Sequence, residues 1–280
     1  MSVKILTTAD IHIGRTSSEA EQIGESSSTR KTWEGLTEYA ISNNIHAVVI
    51  AGDIVEHANH YFEAASALEA GLSNLDEEGI SVFLVSGNHD YDVLPALMDK
   101  NQFKHVHLLG RSGDWEFKSV EIAGQNIQFT GWSYPNMHIR RDPLLDFSIS
   151  EIDHNAISIG LIHGDYGNKE SSYAPLELSS MAGKGVDVWV MGHIHKPEQF
   201  NAEPLIYYPG SPQALSAKEK GEHEVVVLTV SEQGTIQNEV VALSPVRYEE
   251  IQIHISECNE QDEIQAKIID SCEAFTEKKI

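Results

Sequence analysis

Short runs of apolar residues recur along the chain, and most of them end in glycine or polar residues. Six runs are of strand length and rich in β-branched side chains: residues 3–8, 47–51, 82–85, 127–130, 157–162 and 186–191. Their apolar character is nearly continuous rather than alternating, which is typical of strands buried on both faces of a sheet. The pattern therefore predicts strands that are enclosed between other layers of structure.

Helical patterns separate the first of these strands. An apolar stripe advances in steps of three and four residues on a helix that ends near Gly79, at Tyr61, Ala65, Leu68, Leu72 and Leu75. A second helix is expected over residues 29–42. Alternating strands and helices predict a layered α/β fold with helices outside a central sheet.

The pattern changes to hairpins after Asp114. Residues 117–122 and 127–130 flank a turn at Gly124, and residues 225–230 and 236–243 flank a second turn at Gly234. Hairpins pair neighbouring strands antiparallel. We therefore expect a mixed sheet, or two sheets packed face to face, rather than a fully parallel sheet.

The domain organisation is expected to change after residue 245. Residues 1–245 form the predicted main domain, followed by a predicted strand at 249–255 and an acidic helix at about 259–275. The last segment, residues 246–280, has only about 35 residues, too few for an independent core. We interpret it as an appendage or as the opening part of a second domain.

The chain is strongly acidic, with a formal net charge of −24 at pH 7. Its 41% hydrophobic and 22% charged residues indicate a globular protein. The average field repels phosphate, so nucleic acid or an anionic membrane would not bind through bulk attraction, and any phosphate-bearing ligand must be captured locally.

The sequence shows no pattern typical of a signal peptide, a membrane span or a disulfide framework. The first residues run into Asp10 and His12 without the apolar stretch of a signal peptide, and no run is long enough to span a membrane. Two cysteines, Cys258 and Cys272, are too few for a disulfide framework. We expect a cytoplasmic protein with reduced thiols and no membrane partner.

Chemistry-bearing side chains directly follow five of the predicted strands. They are Asp10 and His12, then Asp53, then Asn88, His89 and Asp90, then His163, and finally His193 and His195. The carboxyl ends of sheet strands are where α/β proteins place ligands. Each motif alone also fits a hydrogen-bonded turn or a surface histidine, but all five in order are hard to assign to chance.

The residue types point to divalent metal ions. Carboxylate, amide and imidazole donors without thiolate favour manganese, iron or zinc in a mixed oxygen and nitrogen shell. Seven candidate ligands exceed what one ion uses: Asp10, His12, Asp53, Asn88, His163, His193 and His195. Two ions about 3.5–4 Å apart activate water and clamp a phosphoryl group, which predicts metal-assisted hydrolysis of a phosphate ester.

These motifs resemble those of the calcineurin-like metallophosphoesterase superfamily: D-x-H, G-D, G-N-H-[DE], H-G and G-H-x-H, in order between Asp10 and His195. Residues 8–14, 192–197 and 208–212, followed by Ser216, Glu219 and Gly221, resemble the SbcD-type DNA-repair nuclease subunits. The resemblance covers about residues 1–245. It implies an α/β (α+β) metallophosphoesterase fold, with two mixed β-sheets packed as a sandwich flanked by helices and a short C-terminal start of a cap domain.

The resemblance also implies roles for individual residues. One metal ion would be held by Asp10, His12, Asp53 and His195, and the other by Asp53, Asn88, His163 and His193. Manganese is the implied metal, with Fe²⁺ and Zn²⁺ as alternatives. A metal-bridged hydroxide would attack phosphorus, His89 would contact the phosphate or protonate the leaving oxygen, and Asp90 would orient His89.

Substrate contacts and partners are implied in the same way. The repair nucleases often carry His or Asp three residues after the bridging aspartate, whereas this chain has Glu56 followed by His57. We assign Glu56, His57 and Arg15 to substrate binding. The implied partners are DNA, an SbcC-type ATPase subunit and a second copy of the chain, paired through helices near residues 59–75 and 92–101. Basic residues beside the motifs are Arg15, Arg30, Lys31, Arg140, Arg141, Lys169 and Lys196.

Three functions stay open from the sequence. The leading one is a DNA exonuclease or endonuclease subunit of a repair or recombination complex. A small-nucleotide phosphodiesterase or a phosphoprotein phosphatase suits the net charge better, although phosphoprotein phosphatases typically carry Glu where Asp90 stands. A non-catalytic scaffold of the same fold is the third, but such proteins usually lose metal ligands.

Overall fold

The computed structural model describes residues 2–15, 28–56 and 62–277. The strands of this part of the chain are β1 (Val3–Thr8), β2 (Ala47–Ala51), β3 (Ser81–Val85), β4 (Val106–Leu108), β5 (Trp115–Ile122), β6 (Gln125–Trp132), β7 (Ile157–His163), β8 (Asp165–Tyr166), β9 (Pro175–Leu176), β10 (Val188–Gly192), β11 (Glu198–Phe200), β12 (Leu205–Tyr208), β13 (Glu224–Val230) and β14 (Ile236–Ala242). The helices are α1 (Thr29–Ser42), α2 (Phe62–Glu77), α3 (Val93–Lys100), α4 (Leu178–Ala182) and α5 (Gln261–Glu277).

Twelve of these strands form two six-stranded mixed sheets. The first has the order β14-β13-β1-β2-β3-β4, in which β1 to β4 are parallel and β13 and β14 are antiparallel. The second has the order β11-β12-β10-β7-β6-β5, with antiparallel strands at both edges. Strands β8 and β9 form a separate small ladder.

The two sheets pack face to face, and strands β1, β2 and β3 of the first sheet are buried on both sides. Ile5 points into the space between the sheets, whereas its neighbour Leu6 packs with the helical layer around Trp33. Across the sandwich, the rings of Phe83 and Phe129 stack with centroids 3.7 Å apart. The predicted two-sheet fold with flanking helices is confirmed. Continuous apolar runs predict strands that are buried on both faces, and the second sheet on one face and the helices on the other provide that burial.

Several elements lie close to their predicted positions. Helix α1 has the predicted bounds, and both predicted hairpins form, as β5–β6 and β13–β14. The prediction of a strand at residues 249–255 is wrong, because these residues have no sheet partner and are mostly exposed. An apolar run becomes a strand only where another strand satisfies its backbone hydrogen bonds.

The chain divides into two compact units, Met1–Arg247 and Tyr248–Ile280. The first unit contains both sheets, and the second contains α5. Its interpretation as the start of a cap domain stays a prediction. Within the described residues, no helix combines the length and apolar character needed to cross a membrane.

Candidate metal centre

Asp53 lies at the centre of the site, in the turn that follows β2. Its Oδ2 lies 3.3 Å from Nε2 of His163, 3.8 Å from Nε2 of His12 and 3.9 Å from Nε2 of His89. Its Oδ1 accepts a hydrogen bond from the backbone N–H of His89 at 2.9 Å. One buried carboxylate thus contacts side chains from both sheets.

Asp10 connects the strand ends of the two sheets. Both of its carboxylate oxygens accept from the backbone N–H of His193, at 3.0 and 3.1 Å. Donor atoms of Asp10, His12 and His195 lie within 4.8 Å of one another, and so do those of Asp10, Asp53 and His163. Asp10 and Asp53 therefore each belong to a cluster with the spacing of a metal site.

The imidazole of His163 is held by the backbone of the opposite sheet. Its Nδ1 donates to the carbonyl oxygen of Ala51 at 2.9 Å, which leaves Nε2 facing Oδ1 of Asn88 at 3.2 Å. The ring of His193 lies edge-on to that of His163, with centroids 5.3 Å apart. The structure thus brings all seven predicted ligands to one edge of the sandwich.

Two glycines let the strand ends approach this closely. A Cβ on Gly87 would lie 2.1 Å from Oδ1 of Asp53, and one on Gly192 would lie 1.9 Å from the carbonyl oxygen of Ala51. Any larger residue would push the turn away. The glycines of the G-N-H and G-H-x-H motifs are thus explained by packing of the site itself.

Backbone strain is concentrated at the same residues. Asp10, His12, Asp53 and His193 have positive φ angles of 53°, 49°, 50° and 105°. Such conformations cost free energy for residues with a Cβ and persist where the surroundings enforce them. Here they turn carboxylates and imidazoles from successive strands into one cleft.

The donor set fits two divalent ions. It combines carboxylate and amide oxygens with imidazole nitrogens, as borderline divalent metals prefer. His12 is buried, and neither of its ring nitrogens makes a hydrogen bond of acceptable geometry, although Nδ1 lies 3.2 Å from Oε2 of Glu56. A buried imidazole without a hydrogen bond is costly unless a ligand uses its lone pair.

The sequence model of the calcineurin-like phosphoesterase family matches residues 3–197. The chain belongs to this family. The matched segment contains every strand end that contributes to the cluster around Asp53.

Two proteins similar to this calcineurin-like phosphoesterase are 28% and 26% identical to it over the aligned residues. A Bacillus subtilis protein named uncharacterized metallophosphoesterase YhaO is 28% identical over 229 residues, which cover 79% of this chain and 54% of that protein. The Methanopyrus kandleri DNA double-strand break repair protein Mre11 is 26% identical over 248 residues, covering 79% of this chain and 52% of that protein. The chain therefore spans about half the length of these curated relatives.

Solved structures share the fold at low sequence identity. A dimetal phosphatase from Danio rerio matches with a TM-score of 0.55 and 13% identity, covering 86% of this chain and 99% of that one. The calcineurin-like phosphoesterase YfkN from Bacillus subtilis matches with a TM-score of 0.54 and 15% identity, covering 98% of both chains. These similarities support the two-sheet architecture.

Neighbouring charges at the centre of this phosphoesterase site shift one another's pKa values. Burial opposes the charge of Asp53, but attraction to His163 outweighs it and lowers the pKa of Asp53. Burial likewise disfavours a charged His163, yet Asp53 and Asp10 raise its pKa to about 9. Burial and the nearby Asp53 charge raise the pKa of Asp10. A divalent cation would replace the imidazolium proton as the partner of these carboxylates.

Glu56 contacts the ring of His89. Oε1 of Glu56 lies 2.9 Å from Nδ1 of His89, and Oε2 lies 3.6 Å from the guanidinium of Arg15. The imidazoles of His12 and His89 lower the pKa of Glu56 well below its ordinary value. Of the three predicted substrate-binding residues, the structure brings together Glu56 and Arg15, while His57 lies outside the described residues.

Asp90, which is predicted to orient His89, contacts backbone N–H groups rather than the His89 ring. Its Oδ2 accepts from the backbone N–H of Ile54 at 2.6 Å, and its Oδ1 accepts from that of Gly87 at 2.7 Å. Asp90 therefore ties the turns after β2 and β3 together, and the carboxylate against the His89 ring is Glu56. Burial, reinforced by the charge of Asp53, raises the pKa of Asp90 to about 7.

One further carboxylate was not among the predicted site residues. Glu219 lies 3.1 Å from Nδ1 of His195, although it is distant in sequence from every strand-end motif. Its only sequence signal is its place in the 208–221 run that resembles the repair nucleases. Charge or hydropathy alone does not distinguish it from the many surface glutamates of the chain.

Proposed function

We propose that this calcineurin-like phosphoesterase is a two-metal phosphodiester hydrolase, and most specifically a DNA exonuclease or endonuclease subunit of an SbcCD-type repair or recombination complex. The observation that carries the proposal is the convergence of strand ends from both sheets on Asp53. Asp10, His12, Asp53 and His195 would hold one ion, and Asp53, Asn88, His163 and His193 the other. Bound divalent ions supply Lewis-acid polarisation of phosphate oxygens and a nucleophile at neutral pH.

His89 is the proposed proton donor to the leaving oxygen. Its side chain is 32% exposed, so it can reach a substrate, and Nδ1 is held by Glu56. The hydrogen bond to Glu56 raises the pKa of His89, because the carboxylate stabilises the imidazolium. Nε2, on the side of Asp53, would then carry a proton for the scissile phosphate or the leaving group.

DNA is the proposed substrate. Support comes from the sequence run 208–221 and from the similarity to proteins named for DNA double-strand break repair, at 26% identity. An SbcC-type ATPase would supply the extended basic surface that an acidic chain lacks. A homodimer through α2 and α3, substrate binding by Arg15, Glu56 and His57, manganese as the native metal and a cytoplasmic location belong to the same proposal.

A direct assay tests this function. The protein, loaded with Mn²⁺, is incubated with linear duplex DNA, single-stranded DNA and a small aryl phosphodiester, beside His89→Ala and the control His154→Ala. His154 is exposed and precedes β7, whereas the metal centre lies at the carboxyl end of that strand. We expect His89→Ala to lower kcat on DNA by ~10²–10⁴-fold at unchanged metal content, and the control to match wild type.

The same assay separates the second candidate. A small-nucleotide phosphodiesterase is favoured by the net charge of −24, because a small substrate needs no basic footprint. If the small diester is cleaved while neither DNA is cut, with or without the ATPase, the nuclease assignment fails and the second candidate stands. If the metal-loaded protein cleaves no phosphoester, the nuclease and the phosphodiesterase hypotheses are both wrong, and a non-catalytic scaffold is favoured.

A further inference from the structure

The loop between β12 and β13 packs behind the turn that carries His195. Within it, the backbone N–H of Ser211 donates to the carbonyl oxygen of His195 at 2.9 Å. The side chain of Thr32 on α1 donates to that of Gln213, which ties the loop to the helical layer. The turn of the G-H-x-H motif therefore rests on a segment outside the family match at residues 3–197.

Both oxygens of the Glu219 carboxylate are engaged in this loop. Oε1 lies 3.1 Å from Nδ1 of His195, and Oε2 accepts from the backbone N–H of Leu215 at 2.8 Å. About a quarter of each side chain, 24% for Glu219 and 25% for His195, is exposed. The carboxylate is thus fixed in direction, and the contact is largely shielded from water.

A buried histidine, His223, contacts the backbone of this loop, including that of Glu219. Nδ1 of His223 lies 2.8 Å from the carbonyl oxygen of Ser211, and Nε2 lies 3.3 Å from the carbonyl oxygen of Glu219 itself. His223 is only 5% exposed. It therefore joins the two ends of the loop and limits how far Glu219 can move from His195.

We infer that Glu219 is a positioning residue for His195: it fixes the imidazole with Nδ1–H toward the carboxylate and Nε2 free to bind a metal ion. A carboxylate on the distal nitrogen orients a ligating imidazole and increases its basicity. The inference rests on the proposed metal binding and concerns the site of Asp10, His12 and His195. His163 differs, because its Nδ1 is held by the backbone carbonyl of Ala51, which no side-chain substitution removes.

The two metal sites should consequently depend on Glu219 to different extents. Glu219→Ala removes the acceptor for His195 and leaves the contacts of Asn88 and His163 in place. Glu219→Gln keeps an acceptor oxygen for Nδ1–H but loses the charge, so it should retain part of the effect. Glu222→Gln is a matched control, because Glu222 lies in the same loop in an exposed ion pair with Arg247.

The test is a Mn²⁺ titration of chelator-treated protein, with free Mn²⁺ followed by electron paramagnetic resonance and the fold checked by thermal unfolding of the metal-free proteins. We expect Glu219→Ala to weaken one of two binding steps by about 10–100-fold. Glu219→Gln should weaken that step less, and Glu222→Gln should bind both ions as wild type does. In proton NMR spectra of the Co²⁺-loaded proteins, one exchangeable imidazole N–H signal of the wild type should be lost in Glu219→Ala and retained in Glu219→Gln.

Other outcomes contradict the inference in distinct ways. Unchanged binding in both Glu219 variants, or equal weakening of both steps, would show that Glu219 does not act through His195. A wild-type protein that binds no Mn²⁺ would overturn the proposed function and this inference together. A wild-type protein that binds two ions but hydrolyses no phosphoester would overturn only the proposed function, since the selective loss of one step would still be measurable.

Discussion

Two carboxylates near His89 act on different parts of the molecule. Glu56 pairs with the imidazole ring, whereas Asp90 accepts backbone N–H groups from two turns. The difference follows from position, because Glu56 projects from the turn after β2 toward the ring, while Asp90 is fully buried between the turns. A change at Glu56 should therefore affect chemistry, and a change at Asp90 should affect the arrangement of the turns.

Replacing Glu56 by Gln should slow hydrolysis through His89. We expect kcat to fall by about 10–100-fold, because the charge that stabilises the imidazolium is lost. In a His89→Ala background the same replacement should cost little, since the residue it supports is gone. The measurement is a double-mutant cycle on kcat with metal content recorded for each protein. Additive losses would indicate that Glu56 acts on the substrate or on His12 instead.

Gly87→Ala should abolish metal binding. The new Cβ would lie 2.1 Å from Oδ1 of Asp53, so either the carboxylate or the turn must move. Because Asp53 is the proposed bridge, both ions should be lost, as measured by metal analysis after gel filtration. Gly35→Ala is the control, since a Cβ there meets nothing within 4 Å. Retention of two ions by Gly87→Ala would rule out Asp53 as the bridge.

At the level of elements, local patterns determined what could be predicted. Strands β1, β2 and β3 were recognisable because both faces are apolar, and α2 because its apolar residues recur in steps of three and four. The pairing of β1 with β13, more than two hundred residues away in sequence, depends on contacts that no local pattern reports. Because local patterns do not report contacts between distant residues, a strand was wrongly predicted at 249–255. For the same reason Glu219 was not among the predicted site residues. The convergence of the seven proposed ligands could be expected from the sequence, because each of them follows its strand closely.

The contact between α1 and α2 gives a prediction at this scale. Trp33 is fully buried, and a Cβ on Gly71 would lie 2.2 Å from its Nε1. Gly71→Ala should therefore destabilise the protein by ~1–3 kcal/mol through overpacking, although alanine is the better helix former. Gly35→Ala in α1 should instead stabilise by ~0.5–1 kcal/mol. Urea unfolding of the metal-free proteins measures both, and equal signs for the two would contradict the packing argument.

The short edge strand β4 carries a pH-dependent contribution to stability. Burial, with repulsion from Lys118 and His105, lowers the pKa of His107 from 6.5 to about 4, while Asp76 acts in the opposite direction. Between these values the unfolded chain binds a proton that the folded chain does not, so this contribution is lost as the pH falls through that range. His107→Gln should lose less stability than wild type between pH 7 and pH 5. The measurement is the free energy of unfolding in urea at the two pH values. If wild type and His107→Gln lose the same free energy of unfolding between those values, the effect is excluded.

For the whole molecule, the charge available for DNA binding depends on the basic side chains beside the motifs. Most of them already form ion pairs with carboxylates. Arg15 lies 3.6 Å from Glu56, and Lys169 lies 2.7 Å from Glu177. Arg30 and Lys31 both pair with Glu34, and Arg141 pairs with Asp146. The net charge of −24 is therefore not offset by a separate basic surface among these residues. Metal ions at the Asp53 centre would be the main local source of positive charge.

We accordingly expect this chain alone to bind DNA weakly and with strong dependence on metal. Metal-free protein should show no saturable binding to a short duplex at ~0.15 M salt, where the Debye length is about 8 Å and repulsion is only partly screened. Loading with Ca²⁺, a divalent ion that is a poorer Lewis acid, should increase affinity, and His12→Ala should reduce that increase. Fluorescence anisotropy over a range of salt concentrations gives the number of phosphates contacted, which should be small. Tight binding by the metal-free protein would mean that a basic surface exists apart from these paired arginines and lysines, and that the acidic chain does not need a partner to hold DNA.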